Sequence, residues 1–191
     1  MVVIEQTGAA EQVINKSKFL AWAASCQTEK DVAAFLNAIA VKHQNASHLA
    51  YAFRIKTPSG IVLRFSDAGE PSGTAGKPIL QLLEGHNLIN ACVGVIRYYG
   101  GVNLGKGGLA RAYGGTAKLA LDASKQKPYV EMQQLRLTTE YNQLDELIKA
   151  VSHLGGDVIE KSFDEKVHLS ISLPIVEIKA FKSRFQSEYK T

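Results

Sequence analysis

The chain has 191 residues, 46% of them hydrophobic and 21% charged, with a net charge of +4. That hydrophobic share is ordinary for a globular protein and can fill a core, while no apolar run approaches the roughly 18–20 residues of a membrane helix. The charge is uneven: residues 1–127 carry 14 Lys and Arg against 8 Asp and Glu, and residues 128–191 carry 8 against 10. A basic excess confined to one part points to a local anionic partner rather than general stickiness.

The N-terminus, MVVIEQTGAAEQ, has two acids and no basic cluster, so it does not read as a signal peptide. Residues 11–15 and 18–26 read as strands around a turn at Asn15-Lys16-Ser17. Cys26 and Cys92 form no CxxC and read as buried thiols of a reducing compartment, which makes the cytoplasm the expected location and gives no disulfide or metal role. Thr28 with Asp31 resembles a helix N-cap, followed by a stripe of Val32, Phe35, Leu36 and Ile39. His48–Lys56 and Ile61–Phe65 are expected strands around Thr57-Pro58-Ser59-Gly60, and residues 66–77 a loop. Pro78 suits the first turn of a helix through about Leu83. Ala91–Tyr99 is an apolar strand buried on both faces, Gly100–Lys106 a loop, and Gly107–Ser124 an alanine-rich helix.

Lys125-Gln126-Lys127-Pro128 reads as a linker, dividing the chain into domains at 1–127 and 128–191. Beyond it, Met132–Glu140, Asp157–Ser162 and Lys166–Leu173 are expected strands, with helices over Asn142–Leu154 and Val176–Tyr189. The order β-α-β-β-α is that of a ferredoxin-like module without its final strand. Either that strand is absent or the final helix is wrongly assigned.

The glycine-rich run from Arg64 to Leu121 holds the chemistry. After Glu70 it contains one acid, Glu84, while Lys77, Arg97, Lys106, Arg111 and Lys118 are basic. Gly100-x4-Gly105-Lys106-Gly107 nearly reproduces a phosphate-binding loop, but Gly107 stands where a magnesium-holding hydroxyl is needed. At Gly76-Lys77-Pro78, prolines occupy the first glycine and the hydroxyl positions, so nucleotide hydrolysis is poorly supported. What survives is an anion site at a helix N-terminus, with Gly101, Gly105, Gly107, Lys106 and Arg111, joined by Arg97 and Lys77. Against it stands the plainer role of these glycines in tight helix-to-sheet packing. Tyr98 and Tyr99 must point to opposite faces of their strand, so one is core and the other is free to stack on a base. Asp67, Glu70 and Ser72, with His48 alongside, offer acid–base groups, but their spacing matches no metal loop, and Asp67 and Ser72 are more simply turn residues that bond their own backbone. His43, His86, His153 and His168 have no ligand spacing and read as surface residues, and no cofactor or metal is implied.

GEPSGTAGKPIL (Gly69–Leu80) and RYYGGVNLGKGGLARAYG (Arg97–Gly114), with SKFLAWAA (Ser17–Ala24) and HLAYAFRI (His48–Ile55), closely resemble the signature segments of the IMPACT family, in its bacterial YigZ type. The resemblance implies an α+β protein of two domains. The first is an IMPACT-type βαβ domain with a left-handed crossover, similar to the fourth domain of elongation factor G, and the second is ferredoxin-like, similar to the fifth. The family motif has a cysteine where this chain has Ala50, which counts against thiol catalysis as a shared mechanism.

The expected function is an RNA- or ribosome-binding accessory factor linked to translation regulation, acting without turnover. One alternative is a small enzyme on a phosphorylated or nucleotide substrate, using Asp67, Glu70 and His48 with Lys106 as phosphate anchor. The other is a protein-binding regulatory module. No membrane partner is expected.

Overall fold

The computed structural model describes the backbone of residues 1–185 and 188–190 and the side chains through Phe185. The chain divides into two compact units, Met1–Tyr129 and Val130–Thr191.

Unit one is built on a five-stranded antiparallel sheet of β2 (Gly8–Ile14), β3 (Ser17–Ser25), β4 (His48–Thr57), β5 (Gly60–Ser66) and β6 (Ala91–Tyr98), in the order β2-β3-β6-β4-β5. Asn15 and Lys16 join β2 to β3 with φ of 44° and 66°, the two left-handed residues of a two-residue hairpin. Helix α1 (Glu29–Lys42) starts at a capping box: Asp31 N–H donates to the Thr28 hydroxyl, and Thr28 N–H donates back to the Asp31 carboxylate. It connects β3 to β4, which run parallel because each is antiparallel to the strand β6 between them.

Residues of β6 alternate between two packed faces. Ala91, Val93 and Val95 face helices α2 (Gly76–Gly85) and α3 (Gly105–Asp122), in a cluster with Phe19, Ala21, Ala50, Ala52, Ile79, Leu83, Tyr113 and Ala117. The alanines keep this face shallow, so both helices lie close to it. Cys92 faces the other way, in a cluster with Cys26, Val32, Phe53 and Ile55 beneath α1. Helices on both sides are why β6 reads as one continuous apolar run.

The expected linker is a strand. Lys125–Pro128 forms β7, paired antiparallel with β1 (Val2–Gln6) in a separate two-stranded sheet. Ile4 of β1 is buried in the unit-one core, and Glu5 binds both Lys125, at 2.7 Å, and Lys127, at 3.2 Å. The partner strand lies at the other end of the unit, so local composition could not show the pairing.

Unit two contains β8 (Met132–Thr139), α4 (Leu144–His153), β9 (Asp157–Phe163), β10 (Val167–Pro174), α5 (Ile178–Arg184) and β11 (Glu188–Lys190). The sheet order is β11-β8-β10-β9, that of a complete ferredoxin-like module. The final strand is therefore present, and the helix expected over Val176–Tyr189 stops at Arg184. Phe185 leaves the helix with extended angles (φ −109°, ψ 108°) and packs on Phe181 with ring centres 5.0 Å apart, releasing the chain to pair with β8.

Candidate functional site

At one end of the central sheet, Phe19, Arg97 and His48 form a row across β3, β6 and β4. The alternation of β6 places Arg97 on the face covered by α2 and α3, where it is 5% exposed. A guanidinium cannot shed its charge, so burial there demands partners. Arg97 donates from Nη1 to Glu70 Oε1 at 2.8 Å and from Nη2 to the buried Ser17 hydroxyl at 3.2 Å. Its Nε makes no hydrogen bond, and its Cζ lies over the ring of Phe19, at 5.6 Å, and over that of Tyr99, at 5.1 Å.

Glu70 is the other half of this unit, with a side chain only 4% exposed. Its Oε1 also accepts the Tyr113 hydroxyl at 2.8 Å, and His48 Nε2 stands 4.0 Å away. Burial, reinforced by the bond to Glu70, pushes the Tyr113 phenol far above its ordinary value, so it serves as a proton donor and not as a base. His48 Nδ1 lies 2.7 Å from the carbonyl of Ala68, which can only accept, so the proton sits on Nδ1 and Nε2 faces the cleft.

Asp67 has a structural role. Its Oδ2 accepts from Gly73 N–H at 2.8 Å, and its Oδ1 accepts from Ala75 and Gly76 N–H at 2.9 and 2.8 Å. Burial alone would raise its carboxyl, but these amides outweigh it and hold Asp67 below the usual carboxylate range. The loop is thus wound around a carboxylate that caps the start of α2. The expected anion site at Lys77 is thereby filled from within the protein: the α2 amides are spent on Asp67, and only the exposed Lys77 side chain remains. Ser72 is exposed and does not line the cleft.

The start of α3 differs. It has no side-chain cap and no acid in its first turn. Gly100 lets the chain cross over the hairpin: a Cβ there would lie 2.1 Å from the Lys16 carbonyl, so only glycine fits. Gly101 and Gly105 then turn the chain with φ of 82° and 67°. The amides of the first turn, from Gly105 through Gly107, are left to face solvent with their partial positive charge. Lys106 and Arg111 are exposed beside them, and Arg111 folds back to within 3.8 Å of a Cβ built on Gly107.

These parts enclose a cleft of about 530 Å³ lined by His48, Glu70, Arg97, Tyr99, Lys106 and the residues around Leu104. Tyr99 stands at its rim, 49% exposed, with its hydroxyl donating to Asn103 Oδ1 at 3.2 Å. Tyr98 points to the opposite face, where it bonds His43 at 2.9 Å, so His43 is packed and not simply a surface residue.

The structure therefore brings together Arg97, Tyr99, Gly105, Lys106, His48 and Glu70. Arg97 departs from its expected part: its charge is matched by Glu70 and it does not project as a free phosphate contact. Sequence reasoning missed Ser17, read as a turn residue, and Tyr113, whose position in the α3 core stripe hides its hydroxyl. Among the described residues, no group of three or more His, Cys, Asp and Glu is placed to hold a metal ion, and no helix is long and apolar enough to cross a membrane.

Residues 15–121 match the Impact N-terminal domain. An IMPACT family member of Haemophilus influenzae is 36% identical over 91% of this chain and 84% of its own length. YigZ, an IMPACT family member of Escherichia coli, is 33% identical over 90% of this chain and 84% of its own. A crystal structure of a protein described as hypothetical superposes with a TM-score of 0.72 at 31% identity, covering 96% of this chain and 89% of that one.

Proposed function

Starting from the IMPACT family, to which this chain belongs as a YigZ-type member, we propose that it binds RNA, free or in the ribosome, as an accessory factor linked to translation regulation, and that it does so without turnover. One observation carries the reading. The first turn of α3 offers uncapped amides, Lys106 and Arg111, with no acid, next to the exposed ring of Tyr99. Amides and cations suit phosphate, and an exposed aromatic beside them suits a base. The translation context rests on the similarity of the two-domain layout to the elongation-factor pair.

The cleft lining includes no Ser, Thr or Cys that could act as a nucleophile. Its carboxylate, Glu70, is held through Oε1 by Arg97 and Tyr113. These features favour a holding site over a hydrolytic one.

The test is a salt titration of binding to labelled single-stranded RNA by fluorescence anisotropy. Lys77, Lys106 and Arg111 are in no ion pair among the described residues. Three phosphate contacts give a log–log slope of about −2 for a single strand. Lys106→Ala should weaken binding to all sequences alike and flatten the slope by somewhat less than about 1. Binding that is independent of salt, or absent at low salt, would overturn the proposal.

A further inference from the structure

We infer that the cleft is a pocket for a terminal ribonucleotide, read through the two hydroxyls of its ribose. The inference rests on the RNA-binding reading above and narrows it to one end of the strand and one sugar.

The starting point is the uneven use of the Glu70 carboxylate. Oε1 accepts from both Arg97 and Tyr113, whereas among the described residues no donor reaches Oε2. An ionised carboxylate has only acceptor sites, and Oε2 is not among the fully buried atoms that lack a partner, so it stays open at the cleft to accept from a donor outside the protein. Arg97 cancels its charge, so a phosphate bound nearby is not repelled.

His48 supplies a second hydrogen-bonding atom beside it. Its Nδ1 donates to the Ala68 carbonyl and its Nε2 faces the cleft, 4.0 Å from Glu70 Oε1, where it can pair with a hydroxyl, a group that both donates and accepts. Two neighbouring polar atoms match two neighbouring hydroxyls. A ribose offers that pair only when both its 2′ and 3′ positions are free, as in a nucleoside monophosphate or at the 3′ end of an RNA. The remaining parts of a nucleotide also have places. Tyr99, held by Asn103 and backed by the Arg97 guanidinium, presents a ring face for the base. Lys106 and the α3 amides take the phosphate. The cleft volume of about 530 Å³ lies in the range of small-ligand sites.

The ligand can be varied without touching the buried pair. Affinities of the full chain for 5′-adenylate, its 2′-deoxy and 3′-deoxy analogues and inorganic phosphate are measured by calorimetry, with a single-stranded RNA hexamer carrying a free or a phosphorylated 3′ end. Adenylate should bind at least about 10-fold more tightly than either deoxy analogue, a difference of about 1.4 kcal/mol. The 3′-phosphorylated hexamer should lose a similar factor, and Tyr99→Ala, an exposed position, should weaken adenylate about 10-fold or more. Equal affinity for adenylate and the deoxy analogues, or for phosphate alone, overturns the ribose readout and leaves RNA binding standing. Salt-dependent RNA binding with no binding of adenylate does the same. Loss of RNA binding altogether removes the reading beneath it.

Discussion

Glu70→Gln tests the buried core of the site most directly. The substitution keeps the shape of the side chain and a carbonyl oxygen for the Arg97 and Tyr113 donors, but removes the charge that balances Arg97. Both members of the pair are about 95% buried, with side-chain exposures of 6% and 4%. Removing one partner of such a pair costs about 3–5 kcal/mol, because the other charge stays buried and unmatched. The retained hydrogen bonds place the expected loss at the lower end, about 3 kcal/mol. With a urea slope of ~2 kcal/mol/M, the midpoint should fall by about 1.5 M. The single tryptophan, Trp22, lies on β3 in unit one, so its fluorescence reports that unit alone. Arg97→Met should be similarly costly because it leaves Glu70 unmatched. The double variant should cost less than the sum by about 0.5–3 kcal/mol. An unshifted midpoint for Glu70→Gln at unchanged slope, or strict additivity in the double variant, would refute the claim that these residues act as one electrostatic unit.

Two further outcomes follow from the scaffold around the cleft. Asp67→Asn should destabilise unit one by about 1–2 kcal/mol at pH 7, through loss of the cap at α2. Because the folded carboxyl sits below its ordinary value, its contribution is present at neutral pH and is lost as the pH falls through about 3.9 toward the folded value. The gap in melting temperature between Asp67→Asn and the parent should therefore narrow below about pH 4, and a gap that stays constant would show that Asp67 does not act through its charge. A fragment ending at Tyr129 should fold alone and melt cooperatively by circular dichroism, whereas one ending at Ser124, which lacks β7 and so removes the strand partner of β1, should be clearly less stable. Equal melting of the two fragments would remove β7 from the unit-one fold.

Features that depend on neighbours along the chain were legible without the fold. The hairpin at Asn15 and Lys16, the capping box at Thr28 and Asp31, and the opposite facing of Tyr98 and Tyr99 rest on interactions within a few residues. The anion-seeking start of α3 was legible for the same reason: glycines, Lys106 and the lack of acid all lie within one turn of helix. Family membership was carried by the same segments.

Which charges are free depends on contacts between distant parts of the chain. Arg97 and Glu70 are 27 residues apart, and nothing in their spacing says that a strand end and a loop meet behind α3. Their pairing turns an expected phosphate contact into a neutralised buried unit and turns a candidate acid–base group into its counter-charge. The β1–β7 pairing and the return of β11 to β8 were hidden likewise. Short strands have no strong local signal, and their partners are chosen by a sheet assembled from distant parts of the chain. Side chains in such rows acquire their roles from what lies across the sheet, and that is a property of the fold.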